Sequence, residues 1–102
     1  MKIQTQNKLA HLQCEYNTLY AQTCMLQSQE KPLLEEIQSC QQFITYNQGD
    51  RTARARYKSL MQRHRTLVSQ INRNATRLNK LQMSINQEVF RLNGGTIPRR
   101  RY

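Results

Sequence analysis

Two apolar ladders with heptad spacing run along this chain, one on each side of Asn47-Gln48-Gly49-Asp50. Counting on from Thr5 in alternating steps of four and three reaches Leu9, Leu12, Tyr16, Leu19, Thr23, Leu26, Glu30, Leu33, Ile37, Cys40, Ile44 and Asn47. The same steps from Ala53 reach Tyr57, Leu60, His64, Leu67, Ile71, Asn74, Leu78, Leu81, Ile85, Glu88 and Leu92. Of these 24 seam positions 18 are apolar, against 37% in the whole chain, the enrichment that a coiled-coil seam requires.

Folding the chain at residues 48–49 matches the ladders to each other. Ile44 then faces Ala53, Ile37 faces Leu60, Leu26 faces Ile71, Leu19 faces Leu78, Tyr16 faces Leu81 and Leu12 faces Ile85. Each pair joins an a position to a d position, as antiparallel knobs-into-holes packing demands. Two polar interruptions, Thr23 and Asn74, also coincide and can satisfy each other. The predicted fold is all-α: an antiparallel two-helix coiled-coil hairpin over residues 1–95, with arms at about 3–47 and 51–93 and a turn at 48–50. Residues 96–102, Thr-Ile-Pro-Arg-Arg-Arg-Tyr, read as a flexible basic tail.

Local signals support this division. Pro32 removes one backbone donor from the first arm, yet the heptad phase is unbroken from Leu26 to Leu33, so a kink or a helix restart is expected there. Asn47 and Gly49 suggest a turn that uses positive φ, Asp50 is a good N-cap, and Asn93-Gly94-Gly95 should end the second arm.

Charge adds a direction to the picture. The net charge is +10, but residues 1–49 carry three lysines against four glutamates, and the remainder carries thirteen cations against Asp50 and Glu88. An anionic partner for the second arm or the tail is expected. On one flank of the seam lie Arg56, Arg63, Arg77 and Arg91, with Glu36 able to reach Arg63 or Arg56 and Glu15 able to reach Arg77. The other flank carries Tyr20, Leu34, Met61, Val68, Ala75 and Val89, either a wider core or homodimer face, or a docking groove for another protein. Phe43, Tyr46 and Phe90 are further aromatics expected to be exposed. Arg63, Arg77, Arg91, Arg99, Arg100 and Arg101 are therefore the candidate electrostatic contacts, and Met61 and Val68 the apolar ones.

Chemistry is excluded by what the residues cannot assemble. The six carboxylates are scattered or sit in surface pairs, His11 and His64 lie on different arms, and the three glycines cannot build a phosphate-cradling loop. Glu30 and Glu88 fall on the seam, opposite Leu67 and Leu9, where a glutamate would snorkel to solvent; a buried acid is the other reading. Cys14, Cys24 and Cys40 lack the spacing of a disulfide framework or a zinc site. No cofactor, metal or catalytic residue is expected, and no apolar stretch is long enough to cross a bilayer. A non-enzymatic, cytoplasmic protein is the expectation. Arg51, Arg54, Arg56, Lys58, Arg63 and Arg65 resemble the basic helix of a zipper factor, but the seam runs straight through them, leaving only sequence-independent phosphate contact.

The 22 glutamines and asparagines, the basic second arm, His11-x-Gln13-Cys14-Glu15 and Leu33-Leu34-Glu35-Glu36-Ile37 together resemble the central-stalk proteins of type III export machines, the FliJ/YscO/InvI-like family of flagella and injectisomes. The resemblance implies a hairpin whose paired ends insert into a hexameric secretion ATPase while its loop faces an export-gate protein in the membrane. The alternative reading, from another class, is a basic coiled-coil component of a virion or ribonucleoprotein that contacts nucleic acid.

Overall fold

The computed structural model describes residues 2–94, with side chains described for residues 7–94. It is a helical hairpin: α1 spans Lys2–Tyr46 and α2 spans Arg51–Leu92, with no strand among the described residues. The chain forms two compact units, one of Gln22–Arg73 that includes the turn, and one of Met1–Ala21 with Asn74–Tyr102 that holds the chain ends. The expected basic tail, with Arg99, Arg100 and Arg101, lies outside the described residues.

The heptad ladders account for burial almost position by position. Every seam residue from Leu9 to Ile44 and from Ala53 to Glu88 is at least partly withdrawn from solvent; only Asn47 and Leu92, at the two ends, are exposed. Off the seam, Asp50, Met61, Val68 and Ser84 alone among the described residues share that property. Two long helices can hide only the stripe that each presents to the other, so the remaining faces stay polar and wet.

In the loop unit the core is a cluster of Leu33, Ile37, Cys40, Leu60 and Leu67, against which Leu26, Ile44, Tyr57, Met61 and Ile71 pack. Burying each of these aliphatic side chains contributes on the order of 1.5–3 kcal/mol. The bonds between the helices establish the chain direction. Cys40 Sγ donates to the Ala53 carbonyl at 3.4 Å, Arg56 pairs with Glu36 at 2.7 Å and His64 with Glu30 at 3.2 Å. As the partner on α1 recedes from the turn, so does the partner on α2, which is the signature of antiparallel helices. Glu30 meets His64 rather than facing Leu67, a bond that runs diagonally to the next layer toward the loop.

The turn differs from expectation. Neither Asn47 nor Gly49 has positive φ; among the described residues only Gly94 does, at 73°. The Asn47 side chain instead donates to the Phe43 carbonyl at 2.9 Å and its backbone amide to Ile44 at 3.1 Å, satisfying acceptors at the end of α1. The Asp50 amide then donates to the Asn47 carbonyl at 3.0 Å, and Asp50 Oδ1 accepts from the Ala53 amide at 3.0 Å as the N-cap of α2. Polar closure of the two helix ends replaces the left-handed residue. At the far end of α2, Gly94 does adopt that conformation, and its amide bonds the Arg91 carbonyl at 3.0 Å.

Pro32 sits inside α1 without dividing it. One backbone donor is lost there, but Leu33 and Ile37 remain buried on the seam, so packing across the interruption holds the helix together.

In the unit of the chain ends, the most withdrawn residues are Leu19, Asn74 and Glu88, while Leu9, Leu12, Tyr16, Leu78, Leu81 and Ile85 are half-buried. Tyr16 and Tyr20 stack with ring centroids 6.2 Å apart, which leans an otherwise exposed Tyr20 ring against its own helix. Thr23, the other expected polar interruption, is buried in the loop unit.

Candidate interaction surfaces

The candidate contact residues divide between the units. Arg63, Met61 and Val68 belong to the loop unit, and Arg77 and Arg91 to the unit of the chain ends. Arg63 and Arg77 are exposed and pair with no carboxylate among the described residues. Glu36 selects Arg56, and Glu15 pairs with His11 one helical turn away at 3.3 Å rather than with Arg77. Short intrahelical reach wins over a longer arginine that must cross the seam, because fewer side-chain torsions are frozen.

Arg91 is placed differently. Its guanidinium donates to Glu88 Oε1 at 2.8 Å, and Lys8 approaches the same oxygen at 3.4 Å. Glu88 is only 3% exposed and its Oε2 has no partner among the described residues. The expected snorkelling glutamate is therefore a buried acid, held down because its seam position points the carboxylate between the helices, where two cations neutralise it. Its seam placement and Arg91 three residues on were the signals in the sequence; Lys8 is a neighbour that only the folded chain supplies.

Apolar flank positions behave as a partial second row. Met61 packs against the core cluster and Val68 is half-buried, whereas Leu34, in the same loop unit, is 44% exposed. Tyr20 and Val89 keep 54% and 41% of their surface open in the other unit. Met61 thus belongs partly to the core, and only part of its side chain is free for a partner. Phe43, Tyr46 and Phe90 are exposed.

One feature of the loop unit has no counterpart in the linear pattern. Cys40 and Ala53, two small seam residues joined by the thiol-to-carbonyl bond, leave a cleft of about 400 Å³ between the helices. Phe43 and Thr52 wall it, and the Glu36–Arg56 ion pair forms part of its rim. The heptad count scores both as ordinary apolar positions, so the gap between these diagonal neighbours is not visible in it.

No group of three metal-ligating side chains comes together among the described residues, and no described helix is long and apolar enough to cross a membrane. Cys14 and Cys24 are exposed and Cys40 is buried, all three as free thiols. Comparison with family models, with curated proteins and with solved structures finds no match to this chain.

Proposed function

We propose that the chain is a non-enzymatic coiled-coil stalk or adaptor of a type III protein export apparatus, acting in the cytoplasm. It would insert into a hexameric secretion ATPase, stimulate it, and link it to an export-gate protein. The observation that carries this reading is the surplus of exposed cations on α2, Arg63 and Arg77 among them, that no carboxylate of the described residues answers. A helical hairpin with one cationic side engages an acidic ring unevenly, and that unevenness can bias successive hydrolysis steps. Glutamines on the outer faces add hydrogen-bonding groups without opposing charge.

The test is ATP hydrolysis by a purified secretion ATPase from the same source, with and without the chain. Stimulation is expected, and Arg63→Glu with Arg77→Glu should abolish it while leaving helix content unchanged. Both arginines lack carboxylate partners, so their reversal strains no internal pair. Unchanged hydrolysis on adding the wild-type chain would defeat the reading.

The virion or ribonucleoprotein alternative draws on Arg51, Arg54, Lys58 and Arg65, all exposed and without a carboxylate partner among the described residues. It requires affinity for nucleic acid that falls steeply with salt.

A further inference from the structure

We propose that the cleft lined by Cys40 and Ala53 is a docking site for a partner protein's acidic segment, which seats one bulky apolar side chain between the helices and sets carboxylates against Arg56 and Arg63. This goes beyond the stalk reading and does not require that the partner be an ATPase.

Three observations converge on that occupant. The first is shape: a volume of about 400 Å³ suits one or two side chains, and the small side chains of Cys40 and Ala53, in adjacent layers of the seam, line it without filling it. The floor is held by the 3.4 Å bond from Cys40 Sγ to the Ala53 carbonyl, so the helices at this level are tied together rather than loosely apposed. The second is the wall: Phe43 keeps half of its surface exposed although it borders the cleft, leaving an aromatic face ready for contact. A monomeric hairpin gains nothing from that exposure.

The third is charge. Arg56 spends its Nη2 on Glu36 Oε2, and the planar guanidinium retains further donors on its exposed side. Arg63 follows seven residues later on the same helical face and has no carboxylate partner among the described residues. An apolar slot edged by Arg56, with Arg63 two helical turns farther along, matches a segment in which a hydrophobic residue is flanked by glutamate or aspartate. Phosphate backbones fit poorly, because Glu36 and Asp50 also line the cleft and would repel a phosphate brought into it. A short apolar side chain enters without meeting that repulsion, while its carboxylate neighbours reach outward to the arginines.

The experiment is an amide-shift titration of the full isotope-labelled chain with a short peptide carrying one phenylalanine among glutamates. Shifts centred on Phe43, Thr52, Ala53 and Arg56 are expected, and replacing the peptide phenylalanine by serine should weaken binding about tenfold or more. Lysines in place of the glutamates should remove it. Ala53→Leu fills the slot and should block the peptide. Because Ala53 is a buried seam residue, Phe43→Ser, at a half-exposed position, provides the second variant and should weaken binding with helix content retained. No shifts at millimolar peptide, or shifts indifferent to Phe43→Ser, would overturn the proposal. So would equal shifts from a single-stranded oligonucleotide, or a concentration-dependent dimer of the free chain that covers Phe43.

Discussion

The same heptad pattern builds two different interiors in this molecule. Between Gln22 and Arg73 the buried residues are mostly aliphatic, with Leu33, Ile37, Leu60 and Leu67 in one cluster and a thiol tied to a backbone carbonyl. In the unit of the chain ends, two of the three most withdrawn residues are Asn74 and Glu88, and of the leucines there only Leu19 is buried, with Leu9, Leu12, Leu78 and Leu81 half covered. Apolar spacing therefore decides which side of a helix turns inward, but not how dry that side becomes. Dryness depends on what the opposing residue is, and on whether a polar side chain finds its partner inside or at the rim. The loop unit should accordingly hold its amides against hydrogen exchange longer than the other.

The sharpest way to break this contrast is to remove a core side chain from the loop unit. Leu60→Ala should cost about 2–5 kcal/mol, because Leu60 is 3% exposed and central to the cluster. Leu78→Ala, at a half-buried position of the other unit, should cost less in the same urea titration. Equal losses would mean that the two interiors are energetically alike.

Next in size is the buried acid. Glu88→Leu should leave the protein as stable or make it more so, by up to about 4 kcal/mol, since the replacement removes a desolvated carboxylate and its orphaned Oε2. Thermal melting measures this directly. A marked loss of stability would show that the Lys8 and Arg91 bonds outweigh the cost of burial.

The two described glycines should respond with opposite signs. Gly49 has no positive φ and a Cβ there would meet nothing within 4 Å, so Gly49→Ala should gain about 0.4–1 kcal/mol through a less disordered unfolded chain. Gly94, at φ +73°, has equally open surroundings but the wrong backbone for alanine, and Gly94→Ala should lose about 1–2 kcal/mol. Parallel melts of the two variants test whether backbone conformation rather than space governs these ends.

Smallest of all is the rim of the cleft. A double-mutant cycle on Glu36 and Arg56, both substantially exposed, should return a coupling of about 0.2–1 kcal/mol that shrinks with added salt. A larger value would mean that the pair is shielded and the cleft more enclosed than its exposure indicates.

Much of this was legible in the letters. The hairpin follows from the period of the apolar residues, the N-cap from Asp50, and the helix end from Gly94. The turn was legible in position but not in mechanism: Asn47 and Gly49 are the residues of a positive-φ turn, yet Asn47 acts through its side chain on the Phe43 carbonyl. Which acid each arginine meets was not legible, because Glu36 stands within reach of two arginines and helix packing chooses Arg56.

What the amino-acid order settled by itself is the periodicity, and with it the face that each helix hides, since side-chain spacing along an α-helix is fixed by covalent geometry. It also settled the surplus of positive charge on the second arm, which no folding can alter. The tertiary structure alone decided that Glu88 goes under, that His64 finds Glu30, and that Cys40 and Ala53 leave a gap beside Phe43. Those outcomes depend on distances between residues far apart in the chain, and such distances exist only once the two helices have met.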